Sequence, residues 1–226
     1  MSARVTIERL LARGPEPLEP LATRLRLSHL LGTADLKPRG LAPQEVFLVR
    51  RLRAPQPLSL EGVRVPGAWE RAVQAELEQL YQTAVRPRAN YPVLTPSDES
   101  LCFPEQAELL AFLGALVVQS QPEALWVWQS IAQTSAPPEP ALLVRLWQQE
   151  PRSIPTALGH LIRWQLALPF LQSLSASQTE SLLAAVLQAF SLSLPPQEPT
   201  RLEPHETRRH EPALREWLAD HRERQG

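Results

Sequence analysis

Histidine, cysteine and converging carboxylates are the side chains best suited to chemistry, and the chain holds one cysteine, Cys102, and five histidines. His205, Glu206 and His210 come nearest to a metal motif. A zinc-protease helix needs its two histidines four apart so that both leave one face, whereas a spacing of five turns the second away by about 140°. These residues, with His221, therefore read as solvated tail residues. Cys102, beside Phe103, would be a nucleophile only if a histidine such as His160 packed against it. Free cysteine more often behaves as a small hydrophobe, and His160, flanked by Leu158, Leu161 and Ile162, reads as a hydrogen-bonded interior or boundary histidine. Asp35, Asp98 and Asp220 are the only aspartates and none stands near a histidine in a catalytic pattern, so a carboxylate pair would have to be assembled in space. The 8 glycines form no Walker loop, G-x-G-x-x-G or G-x-S-x-G, which disfavours nucleotide-fold enzymes and elbow-type hydrolases. No catalytic residue, cofactor or metal is expected.

Arginine and tryptophan carry the remaining signal, and both favour binding over catalysis. Lys37 is the only lysine, so the positive charge is almost all guanidinium, whose rigid fork suits carboxylates and phosphates alike. Arg50, Arg51 and Arg53 cluster, with Arg24, Arg26, Arg86 and Arg88 elsewhere in the basic section. On a helix over residues 43–53, Arg50 and Arg53 would share a face while Arg51 joined the Phe47 side. Trp126 and Trp128 would point about 200° apart on a helix, so both are inside only if that helix is covered on two sides; otherwise one is an interface anchor.

These side chains must be positioned by a chain of 226 residues, 43% hydrophobic and 21% charged, long enough for a self-sufficient core. The formal net charge of -1 hides an asymmetry: residues 1–90 carry 14 Lys/Arg against 9 Asp/Glu, and residues 91–200 carry 3 against 9. Such segments can face each other in one fold or steer docking to a partner or a second copy. A lone cysteine points to a reducing compartment, and the charged N-terminus reads as mature protein, so a cytoplasmic location is expected. The apolar run over residues 109–118 is about half of what spans a bilayer and reads as a buried helix, so no membrane span is expected.

The 24 prolines act as punctuation, often just before an apolar run with Glu beside it, which is how helix starts look. Trp69, Val73, Leu77, Leu80 and Ala84 mark an amphipathic helix over residues 68–85. A central helix is expected over residues 104–118, with Gly114 allowing a close neighbour, and further starts at Pro122, Pro138 to Pro140 and Pro155. Pro169 must end or kink the helix before it, and Ser177 with Glu180 supplies a capping box for the last one. RVTIE and TRLRLSHL alternate like half-buried strands, placing Val5 with Ile7 and Leu25 with Leu27, while the spacing of Phe47, Leu48, Arg51 and Leu52 favours the helix over residues 43–53. Residues 54–67 and 86–104 read as extended linkers. The expectation is a mainly α protein, an irregular bundle of about seven or eight short helices with a small two-stranded β element near the N-terminus. No side-chain signature repeats at a fixed period, which favours a compact bundle over a solenoid. Three regions follow: a basic N-terminal region 1–67, a helical domain 68–194, and a Pro- and charge-rich tail 195–226. The tail ends in a short amphipathic stripe, Leu214, Trp217 and Leu218, too short to be stable alone and therefore docked in cis or in trans.

The stretches VFLVRRLRAP, AWERAVQAELEQLYQTAVRPRANYPV, CFPEQAELLAFLGALVV and ALWVWQSI, spanning roughly residues 36–131, resemble a group of uncharacterised bacterial proteins encoded with contractile injection, or phage-tail-like, systems. One Trp-x-Trp stands here in place of a longer run. The resemblance implies no activity and no catalytic residues. It implies a place, as an accessory part, assembly factor or cargo-handling protein of a large particle. The expected function is non-enzymatic and works through protein surfaces, with Arg50, Arg51, Arg53, Trp126, Trp128, Leu214, Trp217 and Leu218 as the candidate protein-binding residues. Particle components or cargo are the expected partners, with self-association open. Two alternatives remain: a helical regulator binding nucleic acid through Arg50, Arg51 and Arg53, and an enzyme with a dispersed site near Cys102 or His160.

Overall fold

QAELLAFLGALVV is apolar around nearly its whole circumference, and such a helix is stable only when covered on every side. In the computed structural model, which describes residues 20–58, 65–87 and 94–193, this segment is that helix and lies at the centre of the fold. In chain order the described elements are α1 (Pro20–Thr33), β1 (Val46–Val49), α2 (Gly67–Thr83), β2 (Ser100–Phe103), α3 (Gln106–Val118), α4 (Leu125–Ala132), α5 (Pro140–Gln149), α6 (Ile154–Arg163), α7 (Ala167–Ser173) and α8 (Ala176–Ala189). Short 3-10 turns, Pro122–Ala124 and Pro151–Ser153, lead into α4 and α6. The protein is thus mainly helical with a small antiparallel sheet, as expected. The described residues through Phe190 belong to one compact unit.

Helices α4, α5, α6 and α7 all pack on α3, and α6 does so most extensively. Every residue from Ala107 to Leu116 is buried. Trp147 of α5 reaches in, its indole N–H donating to the Leu110 carbonyl at 3.2 Å and its ring stacking on Phe170 of α7 at 4.9 Å between centroids. Gly114 makes room for this packing. A β-carbon there would meet Trp147 at 3.3 Å, Leu161 at 3.4 Å and Phe170 at 3.5 Å.

Proline opens α5 and α6 as the punctuation rule requires. Pro169 plays a different part from the one expected. The chain leaves α6 earlier, where Gln165 adopts a left-handed φ of 61°, and Pro169 falls within the first turn of α7, where its missing N–H costs nothing. The capping box of α8 also lies two residues before the expected one. The Ser175 hydroxyl accepts from the Gln178 amide N–H at 3.2 Å, and the Gln178 side chain accepts from the Ser175 N–H at 2.8 Å. Ser175 has the extended backbone that a cap needs, and glutamine serves at the third position as well as glutamate.

The sheet forms from other segments than those expected. TRLRLSHL lies within α1, where Leu27 is buried and Leu25 exposed, since residues two apart fall on different helix faces. Val5 and Ile7 lie outside the described residues. The segment expected as a helix over residues 43–53 instead contains β1, which pairs antiparallel with β2 in the register Val46 to Phe103 through Val49 to Ser100. The reason is burial on both faces. Val46 and Leu48 pack against the main core around α3, while Phe47 and Val49 pack against a second core of Leu36, Trp69, Val73 and Leu77. A period-two strand can serve two cores at once, and the VFLV run, rich in β-branched and aromatic side chains, suits it. Val85 bridges the other edge of β2, its amide donating to Ser100 O and its carbonyl accepting from Cys102 N. The expected helix over residues 68–85 is present as α2 with Trp69, Val73, Leu77 and Leu80 buried.

Candidate functional site

Glutamates at the start of α3 and basic residues in the last turn of α6 are each favoured by the helix dipoles, and the packing of these two helices brings the groups together. His160 is the hub. Its Nε2 lies 3.0 Å from Glu105 Oε1, and its Nδ1 lies 3.3 Å from Arg163 Nη2 and 3.8 Å from Glu108 Oε1. A carboxylate only accepts and a guanidinium only donates, so Nε2 carries the proton and Nδ1 is the acceptor. The His160 and Glu108 side chains are only 7% and 4% exposed, whereas Glu105 reaches solvent at 46%. Burial pushes the Glu108 carboxyl above the usual carboxylate range, and Glu105 adds to this, while His160 and Arg163 oppose it. Glu108 Oε2 has no hydrogen-bond partner among the described residues.

The two carboxylates approach opposite edges of the imidazole, so one ion cannot touch both carboxylates and a ring nitrogen. Among the described residues no group of His, Cys, Asp and Glu has the geometry to hold a metal. Nor does the cluster hold a nucleophile. Cys102 is 1% exposed within β2, and burial pushes its thiol up, with Glu45 adding and Arg86 opposing. A buried neutral thiol is inert, so the site around an accessible Cys102 lacks its first requirement. A concavity of about 370 Å³ lined by Glu76, Gln79, Asp98 and Glu99 among others includes neither Cys102 nor His160. The arrangement ties α6 to α3 through the hydrogen bond from His160 to Glu105. His160 is a hydrogen-bonded interior histidine, one of the two placements expected of it, and its partners Glu105 and Glu108 are not among the residues singled out from the sequence. The available signal was the pairing of acids three apart at a helix start with bases three apart at a helix end.

The expected binding residues are dispersed. Arg50, Arg51 and Arg53 are exposed, but they follow a strand and share no helix face. Arg50 is held against the loop before β2, its amide donating to Glu99 O at 2.7 Å and its guanidinium to Pro96 O at 3.4 Å. Arg86 is structural, donating to the Tyr81 and Ala84 carbonyls at the end of α2 and lying 4.9 Å over the Tyr81 ring. Trp126 and Trp128 are both buried, because α4 is covered on two sides, and this withdraws them as surface anchors. Leu214, Trp217 and Leu218, with His205, His210 and His221, lie outside the described residues.

Exposed apolar side chains lie elsewhere. Ile162 at the end of α6, Leu168 and Leu171 in α7, and Leu183 and Phe190 on and just after α8 are large hydrophobes between 42% and 66% exposed. The same helices bury Leu161, Phe170 and Leu182, about a quarter turn from exposed neighbours, so the exposed residues are a second apolar set outside the core. None of the described helices is long and apolar enough to cross a membrane. No family model, no curated protein and no solved structure matches this chain.

Proposed function

We propose that the protein works in the cytoplasm as a non-enzymatic interaction component, an accessory, assembly or cargo-handling factor of a contractile-injection or phage-tail-like particle. The observation that carries the interaction reading is the outward apolar set Ile162, Leu168, Leu171, Leu183 and Phe190. Single exposed hydrophobes are ordinary, and five along three successive helices favour a binding role for this end of the chain. The exposed Arg50, Arg51 and Arg53, beside the loop before β2, offer a separate set of charged contacts. The particle enters through the resemblance over residues 36–131 alone.

The test is fractionation of particles from a host carrying such a system and expressing the tagged chain. The chain is expected to travel with sheath, tube or baseplate proteins, and a variant carrying Leu168→Glu and Leu171→Glu is expected to be lost from those fractions while keeping its helical circular dichroism. A wild-type chain found only as free monomer, or only with nucleic acid, overturns the proposal.

A further inference from the structure

We propose that His160 is a proton-driven switch that exchanges Arg163 for Glu108 as its partner and thereby moves a tie within α6 to one between α6 and α3. The ring has two occupied edges and one waiting partner. With Nδ1 unprotonated, Arg163 donates to it at 3.3 Å and Nε2–H donates to Glu105 at 3.0 Å. A proton from solvent binding at Nδ1 turns that nitrogen from acceptor to donor. The hydrogen bond from Arg163 then breaks, because two donors face each other and both groups are cationic. Glu108 Oε1, already 3.8 Å from Nδ1, is the acceptor in reach, and the Glu105 bond is kept. Histidine is the side chain whose charge changes between pH 5 and 8.

The surroundings leave this exchange free to run. Glu105 and Glu108 face the ring from α3, Arg163 faces it from its own helix, and α7 carries no ionisable side chain. The 3-10 turn before α6 offers only the exposed Arg152, at the opposite end of that helix, and Cys102 of β2 stays a neutral thiol. Arg163 is exposed, so the displaced guanidinium passes into water beside the outward Ile162. Buried Glu108 gains a hydrogen-bond donor at Oε1, the oxygen that already faces Nδ1. Acidification therefore strengthens the α3 to α6 contact and adds a free positive charge next to an exposed apolar side chain.

The test uses the full chain and the surface variant Arg163→Ala. Imidazole nitrogen NMR is expected to show His160 Nδ1 as an unprotonated acceptor at pH 8 and both ring nitrogens protonated at pH 5.5. The melting-temperature loss caused by Arg163→Ala is expected to be larger at pH 8 than at pH 5.5 by about 2–4 °C, the shift of one hydrogen bond in a domain of this size. Nδ1 remaining unprotonated at pH 5.5, or an equal loss at both pH values, overturns the switch.

Discussion

Two helical glycines give a paired experiment in which the structure predicts opposite signs for the same substitution. Alanine is worth about 0.8–1 kcal/mol over glycine in a helix interior. At Gly159 in α6 an added β-carbon meets nothing within 4 Å, so Gly159→Ala is expected to keep most of that gain and raise the melting temperature by about 2–4 °C. At Gly114 the same atom meets Trp147, Leu161 and Phe170 at 3.3, 3.4 and 3.5 Å. None of the three has solvent to move into, since all are fully buried. Trp147 is held further by its hydrogen bond to Leu110 O and its contact with Phe170, so it cannot retreat without loosening both. Overpacking costs about 1–3 kcal/mol, which exceeds the propensity gain, and Gly114→Ala is expected to lose about 1 kcal/mol net. Chemical denaturation at constant pH, with the midpoint and slope read for both variants, measures the pair. A Gly114→Ala protein as stable as the wild type, or two variants shifting in the same direction, would refute the claim that α3 is packed to contact at this point.

Glu108 ties stability to pH with a definite sign. Its folded value is raised above the ordinary 4.5, so its contribution to stability is fully present below that value and is lost as pH rises through the folded value. Glu108→Gln is expected to stabilise the protein at pH 8, by about 1–3 kcal/mol if the whole cost of the unpartnered charge is relieved, with the gain shrinking toward pH 4.5. Denaturation midpoints across that range check it, and a difference independent of pH would count against it. Cys102 is expected to resist alkylation in the native protein at pH 8 and to react at once in denaturant; fast native labelling would reopen the reading of an accessible nucleophile.

Chain-local patterns made much of the fold legible. Helix α2 follows from Trp69, Val73, Leu77 and Leu80 at helical spacing, and α3 from a run apolar on all sides. Both are single-segment signals. The sheet was misplaced because the spacing of Phe47, Leu48, Arg51 and Leu52 fits one helix face, while the feature that makes VFLV a strand is its partner, β2, more than 50 residues away in the register from Val46 to Phe103. The shift of the capping box from Ser177 to Ser175 has a local cause, since two serines two residues apart each offered an acid or amide three residues on.

Sequence by itself determined the helical class, the central position of α3 and the weakness of every catalytic motif, because periodicity and residue type act over a few turns of chain. Tertiary structure alone decided what the distinctive side chains do. Trp126 and Trp128 are inside because helices cover α4 on two sides, and Cys102 is buried because β2 packs against both α2 and α3. His160 acquires two carboxylates and a guanidinium because the end of α6 meets the start of α3. Each is a property of distance between residues far apart in the chain, and no pattern read along one segment contains it.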